Sequence, residues 1–274
     1  MRWLALLLWC AALGAVEVIT ATADEHASGT NSHLLLGTDT AILVDVPLTI
    51  SAAQAWQQRL PGLLAGRTLA QIYITDSHPD HGGSLPWWRE RYPTVPIRTR
   101  PAVLEDLRRD GPVYHQRLRA RLGAEIPEPM FFPDPHADDH LLLDGQRLPL
   151  VPLDGGHSSH MTGIILPGGR MLSCEAIYHR QHAYLRERRV AGWRANLDQL
   201  ERLTKDQGIT HFIPSHGEPC GVEGIATMRR YLDAVEKAAA LPDRASAETA
   251  LRAAFPDYRM VKFLTDYTLP AYFP

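Results

Sequence analysis

The stretch Gln71-Ile-Tyr-Ile-Thr-Asp-Ser-His-Pro-Asp-His-Gly-Gly83 runs from an apolar strand into a loop crowded with metal-competent side chains. Gln71 to Thr75 is β-branched and aromatic, which suits a buried strand. Asp76, His78, Asp80 and His81 follow within six residues. Pro79 restricts the backbone between them, and Gly82-Gly83 allows a tight turn into the amphipathic run beyond. Imidazole and carboxylate are the donors a divalent transition metal takes, but two such groups per ion do not complete a tetrahedral shell. The loop therefore calls for ligands from elsewhere in the chain.

Later segments supply them. Leu153-Asp-Gly-Gly-His157 is a strand end, a Gly-Gly turn and a histidine. Leu172-Ser-Cys-Glu175 places an acid directly after a buried strand, and Ile213-Pro-Ser-His216 repeats the pattern of strand, turn and His. Each alone reads more often as an incidental loop residue. Together they form a set, because every one comes where an apolar strand ends.

The composition suits such a site. The chain has 274 residues, 45% hydrophobic, enough for a sizeable core. Net charge is −3 and no Lys/Arg-rich run occurs, which argues against a nucleic-acid partner; a small-molecule substrate is the partner expected with the activity read below. Residues 1–23 read as an export signal: Arg2, an apolar run from Trp3 to Val16 too short to span a bilayer comfortably, then Ala21-Thr-Ala23 at signal-peptidase spacing. A periplasmic or secreted protein with no stable membrane insertion follows. The competing reading takes the alternation of Val16 to Thr22 as a first strand. Without the leader, two cysteines remain, Cys174 and Cys220, as a disulfide or as buried thiols.

Between these landmarks the pattern alternates strands and helices. Asn31–Leu36 and Ala41–Val46 form a hairpin. Ser51–Leu60 is a helix stopped by Pro61-Gly62, and Leu85–Arg91 a second. Val95–Thr99 is a strand, and Ala102–Leu122 a helix interrupted at Gly111-Pro112. Asp144-Gly145 supplies the positive φ of a type I′ turn between Leu141–Leu143 and Leu148–Leu153. A second hairpin spans Thr162–Ser173. Helices over Ala195–Gln207 and Val222–Leu241 flank a strand at Thr210–Pro214, and 242–274 is a C-terminal helical tail on a domain of residues 24–241.

The order Asp-x-His-x-Asp-His-Gly-Gly, Gly-Gly-His, an acid after a strand, and Pro-Ser-His-Gly resembles the metallo-β-lactamase superfamily, over about Asn31 to Val222. The resemblance implies an αββα sandwich of two mixed sheets flanked by helices, with a binuclear metal site at one sheet edge. It places His78 and His157 on the first metal with Asp76, and Asp80, His81 and His216 on the second. Glu175 falls where the family usually has a bridging aspartate. Two departures stand out: Asp76 replaces the usual His, and Cys174-Glu175 replaces the usual Gly-Asp pair. Extra carboxylate favours harder ions, so iron or manganese stands beside one or two zinc ions. Tyr178, His179 and His182 would border the substrate, with His160 and Tyr184 behind them.

The activity so implied is a metal-dependent hydrolase. A metal-bound hydroxide, oriented by Asp80, would cleave an ester, lactone, thioester or β-lactam-like amide. The rivals are an iron-based redox enzyme on the same fold and a non-catalytic binding protein with a degenerate site. If Glu175 and His216 converge on one cluster, Cys174 and Cys220 come into one neighbourhood. The expectation is then a disulfide tying the two loops, against Cys174 as a thiolate ligand.

Overall fold

The computed structural model describes residues 16–274. Two six-stranded sheets face each other. The first runs β1 (Glu17–Thr22), β2 (Asn31–Leu36), β3 (Thr40–Val44), β4 (Thr68–Ile74), β5 (Ile97–Thr99), β6 (Asp134–Pro135) in spatial as in chain order. Its first three strands are antiparallel and the rest parallel. The second holds β7 (His140–Leu143), β8 (Gln146–Pro152), β9 (Thr162–Leu166), β10 (Arg170–His179), β11 (His211–Gly217) and β12 (Cys220–Gly221), with β10 and β11 its parallel pair.

Alternation along each strand builds the layers, because successive side chains leave opposite faces. Leu35, Ile42, Val44 and Tyr73 point inward and meet Leu148, Ile164, Leu172 and Ile213 of the second sheet. Their neighbours Leu34, Leu36, Leu43 and Ile72 point outward, under α1 (Ile50–Leu64) and α2 (Leu85–Arg91), against Trp56, Leu60 and Trp88. On the far side α4 (Val190–Gln207) and α5 (Glu223–Ala239) pack Trp193, Leu197, Met228 and Leu232 onto Met171 and Ile177. The result is a four-layer αββα sandwich. Helix α3 (Pro101–Leu122) lies along one end, and α6 (Arg244–Ala254), a π-helical turn (Phe263–Thr268) and α7 (Leu269–Tyr272) close the chain over the second sheet. Among the described residues no helix is long and apolar enough to cross a membrane.

Several expectations change. A leader ending at Ala23 conflicts with β1, whose six residues pair with β2 from Glu17↔Leu36 to Thr22↔Asn31. Val16 is buried between the sheets, and Arg170 Nη2 donates to its carbonyl at 2.6 Å. Residues 1–15 of the expected leader lie outside the described residues. Neither Pro61 nor Gly111-Pro112 breaks its helix: α1 continues to Leu64 and α3 runs unbroken to Leu122. Each proline forfeits one intrahelical bond, and packing along the rest of the helix outweighs that local cost. The acid and the histidine expected after their strands lie within them. β10 and β11 extend to His179 and Gly217 because they pair in parallel past Glu175 and His216.

Candidate metal centre

Strand β4 delivers the loop to the edge where the two sheets meet. Gly83 makes the turn possible, since a Cβ there would lie 2.5 Å from the Leu48 carbonyl oxygen and 2.8 Å from that of Pro79. Asp76 organises the loop: one carboxylate oxygen accepts from the His78 amide at 2.9 Å, the other from Ser158 Oγ at 2.7 Å. Asp45, just past β3, accepts from the Thr75 amide (2.8 Å) and Thr75 Oγ1 (2.6 Å). Its Oδ2 lies 2.8 Å from His81 Nδ1, and a carboxylate can only accept, so that nitrogen carries the proton. The His81 Nε2 is thereby turned toward the centre, the usual device by which a carboxylate fixes a ligating histidine.

The second sheet brings Glu175 to the same point. Register shifts on either side of Cys174 mark an irregularity in β10, and Cys174 itself has φ +49°. That left-handed conformation is one glycine adopts without penalty, so the thiol-bearing residue stands where a Gly-Asp motif would put its glycine. Beyond this kink the Glu175 carboxylate reaches three imidazoles. Oε1 is 2.8 Å from His81 Nε2 and 2.9 Å from His216 Nε2, and Oε2 contacts His157 Nε2. Tyr178 Oη donates to Oε2 at 3.0 Å, and its ring stacks on His216 at a centroid distance of 4.8 Å. Asp80 Oδ2 is 3.3 Å from His216 Nε2 and accepts from Thr30 Oγ1 at 2.7 Å. His157 Nε2 lies 2.9 Å from His78 Nδ1.

Two donor sets result, Asp76-His78-His157-Glu175 and Asp80-His81-Glu175-His216, each with its ligand atoms within 4.8 Å of one another. Both contain two nitrogens and two carboxylates, and Glu175 is common to both. All seven residues named from the sequence as ligands converge here.

Two observations show that the sets suit divalent ions. His216 has both ring nitrogens buried without an aligned hydrogen bond, although Nε2 is 2.9 Å from a carboxylate oxygen. Its Nε2 faces the Glu175 and Asp80 carboxylates together, at 2.9 and 3.3 Å, rather than one aligned partner. The charges agree: Asp45, Asp76, Asp80 and Glu175 bring four carboxylates into one largely buried cluster, which demands compensating positive charge. In the metal-free chain protons supply it. Burial alone would favour neutral His216, but Glu175 and Asp80 push it up to about 9. Burial likewise opposes charge on His81, yet Asp45 and Glu175 hold it well above its ordinary range. Glu175, against its burial, is held well below the usual carboxylate range by His157 and His216.

Three sequence expectations are not met. Cys174 and Cys220 are both free and buried, so no disulfide joins the loops. Cys174 belongs to neither donor set; its Sγ donates to Thr75 Oγ1 at 3.3 Å, and burial pushes its thiol far up, away from the thiolate a metal needs. Of the expected substrate contacts, Tyr178 lines the cleft above the centre, but His179 and His182 do not. His179 Nδ1 lies 3.1 Å from the Glu218 carbonyl, and His182 is buried with Nδ1 3.1 Å from Tyr231 Oη under α5. Alternation along β10 and the turn after it sends them elsewhere. His160 pairs with Asp106 at 2.8 Å, while Tyr184 does face the cleft.

The cleft has a volume of about 260 Å³ and ends on His78, Asp80, His157 and Glu175. Leu48, Tyr114, Tyr184, Phe263 and Tyr267 form its apolar walls. Sequence reading missed Asp45, Thr30 and the two C-terminal aromatics. Asp45 carried the same signal as Glu175, an acid closing an apolar strand; Phe263 and Tyr267 carried none.

The sequence profile of the metallo-β-lactamase superfamily matches residues 27–210. The chain belongs to that superfamily. Among solved structures, TMB-1 superposes with a TM-score of 0.60 at 14% identity, covering 82% of this chain and 100% of its own. A metallo-β-lactamase from Pontibacter korlensis gives 0.58 at 17% identity, covering 80% and 99%, and the metallo-β-lactamase IND-7 gives 0.59 at 17%, covering 74% and 86%. At such identities the likeness is one of fold. No curated protein was found to match. Fold and donor sets together support divalent-metal binding and a metal-dependent hydrolase in general.

Proposed function

We propose that this metallo-β-lactamase superfamily member hydrolyses an ester, lactone, thioester or strained amide, with one or two zinc ions held by the two donor sets. The observation that carries the reading is the Glu175 carboxylate shared by His81, His157 and His216 at the floor of an apolar cleft. Bound there, the metal would polarise a carbonyl and lower the pKa of water toward neutrality. The chain's own residues do the rest. Asp45 and Thr30 fix His81 and Asp80, so neither turns when substrate enters. Asp80, against its burial, is kept ionised well below the usual carboxylate range by His216 and His81, and would orient the attacking water by accepting a hydrogen bond from it. Tyr178, its phenol pushed well up by burial and by Glu175, stays protonated and keeps that carboxylate in place. The aromatic walls exclude bulk water, which strengthens each of these interactions.

Carboxylates make up half of each donor set and no thiolate enters either, which favours iron or manganese as a second reading and, with iron, redox chemistry. Metal analysis of protein purified without added metal, followed by turnover of β-lactams, lactones and thioesters, tests both. Zinc with hydrolysis supports the first reading. Iron with oxidase but no hydrolase activity supports the second.

Export is part of the proposal, with its boundary moved. Cleavage that preserves β1 has to fall before Val16, and Ala12-Leu-Gly14 places small residues at the required spacing. The intact mass of the exported protein checks this: a chain beginning at Ala15 is expected, and one beginning at Asp24 would refute it.

A further inference from the structure

The metal-proximal half of the cleft is acidic and aromatic, but its rim is cationic. Arg117 and Arg121, four residues apart, share one face of α3, and both line the cleft. Arg186, from the segment between β10 and α4, lines it from another side. None of the three has a carboxylate within ion-pair distance among the described residues, whereas Arg109 and Arg119 of the same helix pair with Asp106 and Glu128. Arg121 is positioned, its Nη1 donating to Tyr267 Oη at 2.8 Å, and that tyrosine belongs to the π-helical turn closing the cleft. The chain as a whole carries a net charge of −3, so three unpaired guanidinium groups around one opening are not a reflection of general basicity.

From this arrangement we infer that the cleft selects amphiphilic anions: an apolar or aromatic stem lies between Tyr114, Tyr184, Phe263 and Tyr267, and a negatively charged head is held by Arg117 and Arg121. The inference rests on the proposed hydrolase only for what happens at the other end of the substrate. A cleft of about 260 Å³ lies at the small end of ligand sites, so the stem is short, of the size of a phenylalkyl chain. Guanidinium forks suit carboxylate, sulfonate and phosphate heads, and the aromatic faces suit the stem. Both arginines are exposed, so each contributes modestly; about threefold in affinity apiece is expected, and about tenfold together.

Calorimetry on the metal-loaded protein provides the test. The probes are phenylbutanesulfonate, whose head is a poor metal ligand, and its uncharged methyl sulfone. Wild type is expected to bind the sulfonate about tenfold more tightly, with an advantage that shrinks as salt rises. The Arg117→Gln, Arg121→Gln double variant, with an unchanged melting temperature, is expected to lose most of that preference, keeping only what Arg186 at the other side of the opening contributes. Tyr267→Phe keeps both charges and is expected to retain the preference. Equal binding of the two probes by wild type, or a preference undiminished in the double variant, would overturn the inference. Displacement of the sulfonate by methanesulfonate at equal concentration would also overturn it, since the stem would then contribute nothing. Turnover is read separately. A protein that prefers the sulfonate yet hydrolyses nothing supports this recognition and sinks the hydrolase reading, while hydrolysis without the preference does the reverse.

Discussion

Glu175 is one methylene longer than the aspartate usual at its position, and that length lets one carboxylate meet three imidazoles. Its replacement by Gln keeps the shape and removes the charge common to both donor sets. Glu175→Gln is therefore expected to lower metal content at both, to less than half of wild type by elemental analysis. Asp76→Ala should cost only the ion held with His78 and His157, leaving about one per chain. Equal losses in the two variants would show that Glu175 is not shared.

The same residues set the pH response of chelated protein. Folded His216 sits at about 9 against an ordinary 6.5, so its contribution is fully present below 6.5 and disappears as pH rises through 9. Burial pulls His33 and His182 down to about 4, so their contribution is full above 6.5 and is lost as pH falls through 4. Melting temperature without metal should therefore peak near pH 6.5 and fall between there and 9. Added zinc should remove the alkaline decline, because protons no longer supply the cluster's positive charge. A metal-free melting curve flat over that alkaline range would contradict the assignment.

Among the elements, the decisive junction is between the first and second sheets at β2 and β11. Asn31 Nδ2, buried, donates to the Pro214 carbonyl at 2.9 Å and to that of Gly217 at 2.8 Å, bracketing His216. Gly217 meets β10 so closely that a Cβ would strike the His179 carbonyl. Asn31→Ala leaves two buried acceptors unmatched, at about 1–3 kcal/mol each in the least relaxed case. A loss of about 2–4 kcal/mol in denaturant unfolding is expected, together with weaker binding of the ion held by His216. Wild-type stability in that variant would mean that water or a shifted β11 satisfies both carbonyls.

Over the whole molecule, the C-terminal segment is structural as well as part of the site. Ala247, Leu251, Met260, Leu264 and Leu269 join the core under the second sheet, while Phe263 and Tyr267 reach the cleft. A chain ended after Leu241 uncovers that core and is expected to be insoluble or molten, with near-ultraviolet circular dichroism lost. A soluble, cooperatively melting truncation would show that this segment only lines the site.

The sandwich and the grouping of the seven candidate donors came from the resemblance to the superfamily. Most of the strands, and the metal-competent side chains where apolar runs end, were legible in the sequence as local patterns, such as the alternation along β2 to β4 and Asp-Gly between β7 and β8. Helix lengths across Pro61 and Pro112 were not, since packing against a sheet overrides a local breaker. Nor was the first strand separable from a leader, because an alternating run and a cleavage site share small and β-branched residues. Only the tertiary structure decided that Glu175 serves both donor sets, that Cys174 and Cys220 stay apart as buried thiols, and that His179 and His182 face away. Those outcomes turn on an irregularity at Cys174 and on which side of β10 each residue leaves. A shift of one residue along a strand reverses every side chain, and no spacing in the sequence records it.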